Sequence, residues 1–182
     1  MDLIHRNLSL CSDCSTPPSP DEVGNQFGPG GILLLDDYPH TGGWQGMYYH
    51  ILGKIGAHQE WFYHTHVVPH VPYGDSAHTK VEREFHRTNL DATLKAERPG
   101  IILALGGTAA QFLINKTGIK YRRGQLEMYN KVPLLLTYDM GYLLGAREKS
   151  AESDVANDFV KACQYAQEFA DSAKPEQNFG GI

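Results

Sequence analysis

The sequence predicts an α/β protein, a three-layer αβα sandwich around a central, mostly parallel four-stranded sheet. Three observations predict it. Short unbroken apolar runs recur along the chain and alternate with stretches of helical periodicity, the pattern of a parallel sheet covered on both faces. The clearest run, Ile101-Ile-Leu-Ala-Leu105, follows Pro99-Gly100 and stops at Gly106-Gly107, where residues 108–113 start a helix. The chain has 182 residues, 41% of them hydrophobic and 20% charged, which suits one soluble domain with a real core.

Taken in order, residues 1–30 carry Cys11-Ser-Asp-Cys14, a Pro/Ser-rich stretch and Gly28-Pro-Gly-Gly31, and read as an extended N-terminal arm. Ile32-Leu-Leu-Leu35 is a buried strand, and residues 36–43 are the loop at its C-terminal end. Residues 44–55 place Met47, Ile51, Leu52 and Ile55 at helical spacing. Residues 61–68, aromatic and β-branched, form a strand that runs into a turn at 71–75. Thr79-Lys-Val-Glu82 is a capping box that opens a helix to about residue 96, with Val81/Phe85 and Leu90/Leu94 as i,i+4 pairs. After the strand at 101–105, the glycine pair either brings backbone N–H groups to an anion or simply makes the turn. Residues 132–138 are the fourth strand and 139–145 its exit loop. A final amphipathic helix covers 152–170, and 173–182 is a polar tail. The whole is read as a single domain. Its ligand site is expected at the loops 36–43, 66–75 and 139–145, since parallel sheets bind ligands beyond the C-terminal ends of their strands.

A net charge of −5 argues against a protein that holds nucleic acid by bulk charge, but two local basic clusters stand out, Lys80/Arg83/Arg87 and Lys120/Arg122/Arg123. No apolar segment approaches the ~20 residues of a membrane span, and the N-terminus has no signal-peptide core, so a cytoplasmic location is expected. There are three cysteines and nine histidines. Cys163 falls in a helical pattern as a small apolar residue. The Cys11/Cys14 spacing in a cytosolic chain suggests metal binding or redox chemistry.

Leu105-Gly-Gly-Thr-Ala-Ala110, then Arg123-Gly-Gln125, then Val132-Pro-Leu-Leu-Leu-Thr-Tyr138 leading to Tyr142-Leu-Leu144, resemble in this order a family 4 uracil-DNA glycosylase, the iron–sulfur branch of the uracil-DNA glycosylase superfamily. The resemblance runs from about Cys11 to the final helix. It implies that the family's first motif falls on Asp36-Asp37-Tyr38-Pro39-His40, its base-stacking aromatic on Trp44, its base-reading residue on His66 and its catalytic histidine on Asp139. The resemblance therefore implies a catalytic set of Asp37, Asp139 and His66. Substrate contacts fall to Trp44, Tyr38, His40 and Arg123. For Trp44 the alternative is a core aromatic, and for Asp37 a turn acid.

The family's four cluster cysteines fall on Cys11, Cys14, His70 and His86. That set suits a structural Zn²⁺ better than an iron–sulfur cluster, which His also ligates in some proteins. The alternative is that His70 and His86 share no role.

The reaction implied is hydrolysis of the N-glycosidic bond of a flipped-out base in DNA, in repair or in defence against modified foreign DNA, by a monomer. An ionised Asp139 would repel a departing uracil anion, whereas a carboxylate accepts well from an exocyclic amine. A modified or cytosine-derived pyrimidine is therefore expected. The alternatives are a catalytically silent DNA-binding module and a base-modifying transferase using the same pocket.

Overall fold

Along Ile101–Leu105 successive side chains serve opposite faces of the sheet, and this parity organises the core. Ile101, Leu103 and Leu105 pack with Trp44, Tyr48, Ile51, Val155 and Phe159, while Ile102 and Ala104 pack with Leu90, Leu94, Ala109, Phe112 and Leu113. The run is apolar at every position because both faces are covered. The computed structural model describes residues 31–40, 42–72, 78–145 and 150–172. The N-terminal arm with Cys11 and Cys14, the end of the turn at 73–75 and the polar tail lie outside the described residues.

The strands are β1 (Ile32–Asp36), β2 (Phe62–His66), β3 (Ile101–Leu105), β4 (Leu126–Tyr129) and β5 (Val132–Thr137), in the spatial order β2-β1-β3-β5-β4. The first three and β5 are parallel, and β4 pairs antiparallel with β5. The expected sheet of four strands therefore has a fifth. Leu126-Glu-Met-Tyr129 and β5 are joined by Asn130 and Lys131, both at positive φ (47° and 69°), which is the backbone of a two-residue hairpin.

The helices are α1 (Gly43–Ile55), α2 (Lys80–Phe85), α3 (Arg87–Glu97), α4 (Gly106–Ile114), α5 (Ile119–Arg122), α6 (Met140–Gly145) and α7 (Ser150–Ser172). α1 and α7 cover one face, and α3 and α4 the other. On α7, Val155, Phe159, Ala162 and Ala166 are buried at helical spacing. The capping box at Thr79 forms as read: its hydroxyl accepts from the Glu82 N–H at 3.2 Å, and the Glu82 carboxylate accepts from the Thr79 N–H at 2.7 Å. The single helix expected from residue 79 to 96 is two, parted at buried His86. The exit loop expected after β5 winds into α6.

The chain leaves β1 for β2 on one side and returns to β3 on the other. The order thus reverses between β1 and β3, and the crevice beyond their C-terminal ends is where α/β sheets bind ligands. Asp36 ends β1, His66 ends β2 in register with it, and Gly106 follows β3.

Candidate active site

Asp36 is fully buried at the end of β1 and Asp37 is partly exposed just beyond it. One Asp36 oxygen accepts the Asp37 N–H at 2.8 Å, and Asp37 Oδ1 accepts the Tyr38 N–H at 2.9 Å. His40 closes the loop back on both acids. Its Nε2 lies 2.9 Å from Asp37 Oδ1 and 3.6 Å from Asp36 Oδ2. Burial, and then the charge of Asp37, push the Asp36 carboxyl up to about 8, with Asp139 adding to the rise. At neutral pH Asp36 therefore mainly keeps its proton.

Two histidines of β2 face this loop. His64 and His66 alternate along the strand, so they share a face, with ring centroids 4.6 Å apart. Burial and then His40 lower His64 to about 4, and burial followed by His64 and His40 lower His66 to about 3. Both are neutral imidazoles at neutral pH, each able to donate at one nitrogen and accept at the other.

Trp44 is only 5% exposed and belongs to the core. Its indole runs parallel to the His40 ring at 5.7 Å and to the His64 ring at 5.1 Å. Of the two readings of Trp44, stacking aromatic and core aromatic, its burial favours the second, with the indole backing the two imidazoles. The aromatic surface nearer solvent belongs to Tyr38 and His40, whose rings lie 4.2 Å apart.

Asp139 comes to the same crevice from the end of β5. Its Oδ1 accepts the Tyr142 N–H at 2.6 Å and caps α6. Its carboxylate lies over Gly106, 3.1 Å from where a Cβ would stand. Gly106, at φ 78°, is thus required by the turn and by this approach. The space over the glycine holds a carboxylate, and the pair reads as a turn that admits Asp139.

Arg123 does not join these groups. Its guanidinium bonds Asp158 at 3.0 Å, pairs with Asp154 and lies 5.8 Å over the Tyr138 ring. Asp158 is fully buried and also accepts from Thr137 Oγ1 at 2.9 Å. Arg123, expected as a substrate contact, ties the end of α5 to α7 in this structure.

His70 and His86 lie with ring centroids 6.2 Å apart, and His78 stands against His70 at 4.9 Å. Two residues beyond the expected set, Asp36 and His64, belong to the crevice at the ends of β1 and β2. Asp36 falls in the family's first motif without a role of its own in the expected site, although a charge closing an apolar run at a strand end points to one. His64 has no expected role either, although its i,i+2 spacing from His66 puts both on one face.

A family model of the uracil DNA glycosylase superfamily matches residues 39–167. The chain belongs to the uracil DNA glycosylase superfamily. The match takes in β2, the organising β3 strand and its helix, and Asp139, and begins three residues after Asp36. Membership of this superfamily points to DNA glycosylase chemistry and a DNA substrate. No curated protein matches the chain. Among the described residues no helix is long and apolar enough to cross a membrane.

Proposed function

We propose that the protein hydrolyses the N-glycosidic bond of a flipped-out, non-standard base in DNA, a modified or cytosine-derived pyrimidine in preference to uracil. The observation that carries this reading is the meeting of Asp36, Asp37 and His40 with Asp139 at the switch point of a glycosylase-superfamily sheet. Asp37, held by His40, orients the attacking water and takes its proton as the water oxygen bonds to the sugar carbon. The electrons of the broken bond leave with the base. The Asp37 carboxylate faces the sugar cation as it forms.

Asp139 disfavours a base that departs as an anion and favours one that offers an exocyclic amine or carries a ring proton. Neutral His66 reads the base edge, and Tyr38 and His40 supply its aromatic contact. A panel of duplex and single-stranded oligonucleotides, each with one test base and developed by alkaline cleavage, tests this. Cleavage at a cytosine-derived base is expected, and cleavage at uracil alone would overturn the choice of base. One observation favours a second reading, a silent DNA-binding module: Asp139 spends one oxygen capping α6. DNA binding without cleavage of any base in the panel would support it.

Cys11, Cys14, His70 and His86 would hold a structural Zn²⁺ within this reading. The nearness of the His70 and His86 rings supports it, since imidazoles sharing a tetrahedral ion bring their centroids to roughly 5 Å. The ion would tie the N-terminal arm to the junction of α2 and α3 and take no part in the reaction. Metal analysis of the purified protein should find zinc that is lost in Cys11→Ser. Full retention in that variant would contradict the assignment.

A further inference from the structure

The loop after β1, which carries Asp37 of the proposed hydrolysis, also carries a metal-type donor set. Asp36, Asp37 and His40 each offer one ligand atom, and these atoms all lie within 4.8 Å of one another. His40 Nε2 stands 2.9 Å from Asp37 Oδ1 and 3.6 Å from Asp36 Oδ2. Neighbouring ligands around a six-coordinate ion with bonds of about 2.1 Å lie about 3 Å apart. The two distances from His40, 2.9 and 3.6 Å, are near that spacing, and the two acids offer ligand atoms within 4.8 Å of each other.

A second observation concerns Asp36 alone. Its side chain is 1% exposed and Oδ2 has no hydrogen-bond donor, yet that oxygen is the one turned toward His40. A buried carboxyl oxygen left in this way lacks a polar partner, and a cation that displaces the Asp36 proton would supply one. Asp37 and His40 are 28% and 22% exposed, so the opposite side of the set stays open to water and to DNA phosphate oxygens.

We propose that Asp36 Oδ2, Asp37 Oδ1 and His40 Nε2 form a binding site for a divalent cation of the Mn²⁺ class. Two carboxylates and one imidazole suit Mn²⁺, which accepts hard oxygen donors together with a nitrogen. Thiolate sites such as a Cys₂His₂ set select softer ions. Mn²⁺ therefore reports this site separately from any zinc held elsewhere in the chain. The site does not depend on which base the protein removes.

The test is titration of the purified full-length protein with MnCl₂, followed by the loss of the free-ion EPR signal, on wild type, Asp36→Asn and His40→Ala. Saturable uptake of a single Mn²⁺ is expected, with affinity lowered about tenfold or more in each variant, about 1.4 kcal/mol. His40 lies on a partly exposed loop, so its variant keeps the test decisive if Asp36→Asn fails to fold. No saturable uptake by wild type, or uptake at unchanged affinity in a folded variant, would overturn the proposal.

Discussion

Asp36, His64 and His66 pull stability in opposite directions with pH. Asp36 in the fold holds its proton up to about 8 against an ordinary 3.8, so the folded state binds more protons across that window and gains stability as pH falls. His64 and His66 titrate near 4 and 3 in the fold against 6.5 when unfolded, so below 6.5 the unfolded state binds more protons. Two histidines outweigh one acid there. Stability should rise modestly from pH 8 to about 6.5 and then fall by about 1–3 kcal/mol toward pH 4.5. Urea unfolding across that range checks the maximum, and in His64→Phe the acid limb should flatten. Gly106→Ala places a methyl against Asp139 at positive φ and should cost about 1–3 kcal/mol by the same measurement. Asp37, His66 and Asp139 were legible as candidates through the family resemblance, each at or just beyond the C-terminal end of a strand. The sequence could not show that Trp44 is covered, because an indole at a helix start reads alike in a core and in a cleft.

Arg123 and Gly124 act through the elements they join. Lys161 Nζ donates to the Gly124 carbonyl, and a Cβ on Gly124 would stand 2.7 Å from Asp158 Oδ1. Arg123→Ala leaves buried Asp158 with Thr137 as its remaining side-chain hydrogen-bond donor and should destabilise by about 2 kcal/mol. That is less than for a fully buried pair, because the guanidinium is partly exposed. Thermal melts check this, and DNA affinity measured well below the melting temperature should change little. Had Arg123 gripped the substrate, the order of the two effects would reverse. The strands at 32–35, 101–105 and 132–137 were legible because both faces are buried and every position is apolar. β4 was not, since Leu126 and Met128 are exposed and Glu127 pairs with Lys116, leaving no apolar run. Its one signal was the Asn130-Lys131 turn. The break at His86 lies inside an otherwise helical pattern and becomes legible only from packing.

Across the whole molecule, charge and topology set how DNA would be held. Much of each basic cluster is spent internally: Arg83 donates to the His78 carbonyl, Arg87 pairs with Glu84, Arg122 with Glu127, and Arg123 with Asp154 and Asp158. With a net charge of −5, DNA binding should depend on salt with a shallow slope, well short of the about −5 expected for six phosphate contacts. Fluorescence anisotropy against log salt measures it. The sheet order brings the ends of β1, β2 and β5 to one crevice, and the reaction assigned to the protein needs that convergence. The most direct test is the single-turnover cleavage rate of Asp37→Asn against wild type, on the best substrate of the base panel and at saturating protein. A loss of about 10²–10⁴-fold with DNA affinity preserved is predicted. A rate within a few-fold of wild type would contradict the account.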